Sequence, residues 1–142
     1  MRKLILLVVV SIFTFSCSND NSSLNVTKSN LIGKWYLTGG SVNGGSFVTY
    51  QHDCDSKRDF QDFLSNQVLA FTGFNEDCEI SNTEVSNWEL NGNKLTVSNT
   101  NFDPMNYSYE FIIKRLTTSE LIIEISQETS EGTVKEQSVF VR

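Results

Sequence analysis

From residue 107 onward the chain alternates apolar and polar side chains with a period of two. Tyr107, Tyr109, Phe111 and Ile113 share one parity, and Ser108, Glu110 and Lys114 the other. Leu121, Ile123 and Ile125 repeat the pattern against Glu124 and Ser126, with Ile122 as the exception. Successive side chains of a strand point to opposite faces, so each run makes a strand with one dry and one wet side. Before residue 107 the same kind of run recurs, rich in Val, Ile, Phe, Tyr, Trp and Thr and closed by Gly, Asn, Ser or Asp. Strands are expected near residues 31–38, 46–51, 59–64, 67–74, 84–90, 94–98, 107–116, 120–127 and 133–141. Asn91-Gly92 suits the positive backbone angles of a hairpin turn, and Pro104 falls between strands, where its missing N–H breaks no ladder. Helix signal is confined to a turn around residues 55–63. Short connections make neighbours in sequence neighbours in the sheet, which favours an up-and-down meander over a Greek key. The expected fold is all-β, an antiparallel up-and-down barrel of about eight strands, because closure removes the edges that invite aggregation. An interior of that size is filled by side chains or holds one small ligand.

The amino terminus follows a different logic. Met1-Arg2-Lys3 precedes a largely apolar run over residues 4–15 and the small residue Ser16, the order of a secretory signal. The run is too short for an ordinary membrane-spanning helix. Thr14-Phe15-Ser16-Cys17 resembles a bacterial lipobox, departing from it at Thr14, where Leu is commoner. That resemblance implies a signal peptide over residues 1–16 and lipid attachment at Cys17. Residues 17–30, rich in Ser, Asn, Asp and Thr, are expected to form a flexible tether, leaving residues 31–142 as a single barrel domain.

Removing residues 1–16 takes away Arg2 and Lys3 and no acid, so the net charge moves from −6 to −8. A field of that sign repels phosphate backbones, which excludes nucleic acid as the expected partner, and it gives no polybasic grip on anionic lipid. Membrane attachment then rests on acyl chains, at about 0.8 kcal/mol per buried methylene. Of the three cysteines, Cys17 is assigned to lipid, and Cys54 and Cys78 remain as a pair. In an oxidising compartment they most simply form a disulfide, which would stabilise the fold by about 3–4 kcal/mol in the chain-entropy picture.

Leu31-Ile32-Gly33-Lys34-Trp35-Tyr36-Leu37 resembles the Gly-x-Trp opening strand of the lipocalin and calycin barrels. Together with the segments 88–97, 116–123 and the terminal Val139-Phe140-Val141-Arg142, it makes residues 31–142 similar to small lipocalin-like lipoproteins of Gram-negative bacteria. The resemblance implies that Trp35 packs at the closed end of the barrel under an arginine, for which Arg142 and Arg115 are both candidates. It also implies a cysteine pair placed like Cys54 and Cys78. The Thr-Asp-x-x-Tyr motif of larger lipocalins is missing. Ser18 and Asn19 after Cys17 lack the Asp associated with inner-membrane retention, so the outer membrane is favoured.

Catalytic chemistry finds little purchase. His52, the single histidine, lies in His52-Asp53-Cys54-Asp55, a set of zinc-type ligands without a second histidine and with Cys54 claimed by its pairing. Asn75-Glu76-Asp77-Cys78-Glu79 offers oxygen ligands without the spacing or central glycine of a calcium loop. No Gly-x-Ser-x-Gly or His-Glu-x-x-His motif is present, and only His52 could activate a nucleophile in the common arrangement. A non-enzymatic role without cofactor or metal is therefore expected. The candidates for the interior are Trp35, Leu37, Phe60, Phe71, Trp88, Tyr109, Phe111 and Ile123, which either fill the barrel or line a ligand site. The reading is a monomeric lipid-anchored binding protein of the cell envelope, taking a small apolar ligand. The alternative is a solid barrel acting as a protein-interaction module through the loops at 42–46 and 98–106.

Overall fold

Each of the nine expected runs forms a strand in the computed structural model, which describes residues 23–99 and 106–142. The expected signal peptide and Cys17 lie outside the described residues, as do Pro104 and most of the 98–106 loop. The strands are β1 (Gly33–Val42), β2 (Val48–Thr49), β3 (Phe60–Phe63), β4 (Val68–Phe74), β5 (Ile80–Asn91), β6 (Lys94–Asn99), β7 (Tyr107–Leu116), β8 (Glu120–Thr129) and β9 (Gly132–Val141). From β3 to β9 each strand pairs antiparallel with the next, and β9 returns to pair with β1, from Tyr36↔Val141 to Val42↔Glu136. The wall is therefore a closed meander of eight strands, as the short connections imply.

β2 stands outside that ring. On its second edge β1 pairs with β3 only from Gly33 to Tyr36, and β2 takes up Gly39 and Gly40 farther along. Between the two, the segment joining β2 to β3 supplies the missing donors: Tyr50 N–H donates to the Thr38 carbonyl at 2.9 Å, and His52 Nε2 to the Leu37 carbonyl at 3.1 Å. An edge that would otherwise present bare carbonyls is thus covered along its length. Gly39 permits this. A β-carbon there would lie 2.2 Å from the Val48 carbonyl oxygen, and its φ of +152° suits glycine.

The expected turn of helix at 55–63 is not formed: residues 60–63 are β3, and the residues before it are an irregular loop. Cys54 in that loop is bonded to Cys78, 24 residues on, and the disulfide ties the β2–β3 connection to the turn between β4 and β5. Among the described residues helix occurs instead as one turn, α1 (Lys28–Leu31), where the Thr27 hydroxyl accepts from the Asn30 N–H. Residues 24–30, expected to be tether, lie against the barrel: Leu24 N–H donates to the Leu116 carbonyl at 2.7 Å, and Val26 packs on the core. Apolar Leu24, Val26 and Leu31 explain the difference, since a polar segment carrying three such side chains can dock where a wholly polar one cannot.

These elements plug one end of the barrel. Leu31, Trp35, Phe63, Trp88, Leu116 and Leu121 are all but inaccessible there. Trp35 Nε1 donates to the Leu31 carbonyl at 2.8 Å, Trp88 Nε1 to the Leu64 carbonyl at 3.2 Å, and the Phe63 and Trp88 rings meet edge to face at 5.5 Å. Between the two candidate arginines the structure chooses Arg142. Its guanidinium lies over the Trp35 ring and donates to the carbonyls of Asn30, Ile32 and Thr118, whereas Arg115 pairs with Glu120 on the outer surface.

Candidate ligand cavity

Above that floor the barrel is hollow. The inward parity of each of the eight ring strands lines a cavity of about 540 Å³, inside the range typical of small-molecule sites. Its lower wall is apolar: Phe63 from β3, Leu69 and Phe71 from β4, Leu95 and Val97 from β6. Phe111, Ile123 and Phe140 continue it on β7, β8 and β9, and Leu37 closes the circuit on β1. Toward the other end, β5 and β7 contribute Glu84, Ser86, Tyr107 and Tyr109, and Tyr109 is 47% exposed, which marks the mouth.

The polar groups fall into two sets. On one side Tyr107 donates to a Glu84 carboxylate oxygen and shares a 2.8 Å hydrogen bond with Ser86 Oγ. Burial and then the Glu84 carboxylate push the Tyr107 phenol above its ordinary pKa, so it stays protonated and acts as a donor. On the other side Gln61 and Ser138 face the cavity, and neither side chain hydrogen-bonds to any described residue.

Of the eight residues expected inside, Leu37, Phe71, Tyr109, Phe111 and Ile123 line the cavity. Trp35 and Trp88 are buried at 0% and 1% exposure but belong to the floor. Phe60 is on the other face of β3 from Gln61 and Phe63, with Lys34 Nζ 4.2 Å from its ring centroid and Tyr36 and Phe74 beside it. In Phe60-Gln61-Asp62-Phe63 both parities offer a phenylalanine, and the polar Gln61 disguises the inward one. Glu84, Ser86 and Ser138 escape sequence reasoning for the same cause, although Glu84 and Ser86 share the parity of buried Trp88 and could have been found by counting back from it.

The segment around His52 is structural. Asp59 is buried, accepting the Phe74 N–H at 2.9 Å and the Tyr50 hydroxyl at 2.8 Å. The Asp59 N–H donates to His52 Nδ1 at 3.1 Å, which assigns the ring proton to Nε2, where it serves the Leu37 carbonyl. With both ring nitrogens engaged and Cys54 in a disulfide, this cluster holds the loop to β1 and is not poised as a base or a metal site. Among the described residues no three His, Cys, Asp or Glu side chains converge as a metal would require.

Residues 31–123 match the family model described as a lipocalin-like domain. A lipocalin-like protein from Bacteroides uniformis superposes with a TM-score of 0.56 at 18% identity, over 80% of this chain and 98% of that one. Lobster apocrustacyanin A1 superposes with a TM-score of 0.53 at 14% identity, over 80% of this chain and 61% of the other. At these identities the likeness is one of fold. Among curated proteins none matches the sequence.

Proposed function

This chain belongs to the lipocalin-like domain family, and we propose that it is a non-catalytic binding protein which carries a small apolar molecule inside its barrel and is held at a bacterial envelope by lipid on Cys17. The observation that carries the binding half is the cavity of about 540 Å³ above a sealed floor. A barrel meant only as a rigid module gains stability by filling that space with side chains, since unfilled volume forfeits packing. The family typically binds small hydrophobic ligands, which agrees with an apolar lower wall. Native mass spectrometry of the protein isolated from its own cells tests it: a bound small molecule released on denaturation is expected. A ligand-free protein that also fails to take up an apolar fluorescent probe ends the proposal.

The anchoring half rests on Thr14-Phe15-Ser16-Cys17 behind a charged start and an apolar run, and Ser18 and Asn19 favour the outer membrane. Detergent partitioning of the wild type and of Cys17→Ser checks it. The wild type should enter the detergent phase and the variant should not.

A second reading has its own observation. Phe47, Val48, Ile80 and Val85 are more than half exposed, and the adjoining pair Phe47 and Val48 offers an apolar surface to another envelope protein. A partner captured by the wild type and lost on changing Phe47 and Val48 to Ser supports it, whereas capture indifferent to that pair counts against it.

A further inference from the structure

Among the described residues the cavity wall carries one formally charged side chain, Glu84, and no Lys, Arg or His lines it. From this asymmetry we propose, on the binding reading above, that the preferred ligand is an apolar chain with a protonated amine head seated at Glu84. A carboxylate or phosphate head would meet no cation on the wall and would face both Glu84 and a chain of net charge −6. An amine meets the reverse. Glu84 offers two carboxylate oxygens, and Tyr107 donates to one of them, so acceptor capacity remains for a donor from the ligand. The same hydrogen bond orients the carboxylate, and Ser86 fixes the Tyr107 hydroxyl in turn.

The position suits the ligand's own division. Glu84 is exposed and stands at the mouth with Tyr107, so an ammonium placed there keeps part of its hydration. Its hydrocarbon tail can then descend past Val97 toward Phe63 and Leu69 on the dry wall. An amine buried deeper would lose its water with no acid to replace it. Specificity here is repulsive as much as attractive, because the pocket rejects the acid that shares the amine's tail.

Three probes of one chain length separate the outcomes: decylamine, decanol and decanoate, measured by displacement of an apolar fluorophore from the wild type and from Glu84→Gln. The substitution keeps an acceptor for Tyr107 at an exposed position, and circular dichroism verifies the fold. The expected order is amine, alcohol, acid, with about tenfold or more between the ends. Glu84→Gln should pull the amine and the acid to within about threefold of the alcohol. Binding of all three with equal affinity, acid binding tighter than amine, or an order unmoved by Glu84→Gln overturns the amine assignment and leaves the binding reading standing. Failure of every probe to bind, decanol included, removes both.

Discussion

The guanidinium of Arg142 lies 4.1 Å from the ring centroid of Trp35, joining the last residue of the chain to the opening strand of the barrel. Its three side-chain nitrogens reach the carbonyls of Thr118, Ile32 and Asn30 at 2.7–3.1 Å, so one side chain staples α1, the start of β1 and the β7–β8 turn. Arg142→Ala removes a cation–π contact and charge-assisted hydrogen bonds and should cost about 2–4 kcal/mol in urea unfolding. Arg142→Lys should recover only part, since a point-like ammonium cannot span three carbonyls set in a fan. Arg115→Ala, which breaks a surface pair, should stay within about 1 kcal/mol of wild type. Equal losses at the two arginines would refute the assignment.

The disulfide should show itself as a stability difference with little change of fold. Cys54→Ser together with Cys78→Ser reopens a loop of 24 residues' separation and should lower the unfolding free energy by about 3 kcal/mol. Reducing agent should do the same to the wild type and nothing to the double variant. A wild type indifferent to reductant would contradict it.

Stability should fall at both extremes of pH through one cluster. Burial works to raise the Asp59 pKa, but the hydrogen bonds from the Phe74 N–H and the Tyr50 hydroxyl outweigh it and hold the carboxyl below its ordinary range. A depressed carboxyl stabilises the fold above its unfolded pKa, and that contribution disappears as pH falls through the folded value. Tyr50 is pushed up to about 12, first by its bond to Asp59 and then by burial. A raised phenol contributes fully below its unfolded value of about 10 and loses that contribution as pH climbs toward the folded one. Tyr50→Phe should therefore flatten the alkaline limb and weaken the acid one in urea midpoints followed across pH. Parallel curves for the two proteins would sink the assignment.

Blocking the cavity should cost binding and not folding. Val97→Phe adds a ring to the wall of a cavity of about 540 Å³, so space exists to accept it. Probe affinity should drop tenfold or more, while unfolding stays within about 1 kcal/mol of wild type. Unchanged affinity would place the ligand elsewhere.

Strand positions were legible because parity and turn residues report them directly: the Tyr107 to Ile113 alternation and Asn91-Gly92 each fall where sequence places them. Closure of the ring follows from the meander, and Trp35 lies in the closed end as Gly33-Lys34-Trp35 implies. What sequence could not carry is the sorting of dry residues into floor and cavity wall. Trp88 and Phe111 look alike as apolar members of alternating runs, and only the height at which β5 and β7 cross the barrel separates a plug from a lining. Polar wall residues such as Gln61 and Ser138 are harder still, because a hollow interior spares them the desolvation that would forbid them in a filled one. The docking of residues 24–31 was hidden by their polar neighbours, three apolar side chains being too few for periodicity to register.

The hydrogen bond from Leu24 to Leu116 fixes where the amino-terminal segment leaves the barrel, beside the floor and away from Tyr109. Leu24 lies seven positions after Cys17, a stretch that can extend no farther than about 25 Å. Under the proposed anchor the molecule stands like a cup on its base, close to the bilayer, with the rim turned toward water. Cargo would then be exchanged with the aqueous side and not drawn directly from the leaflet beneath.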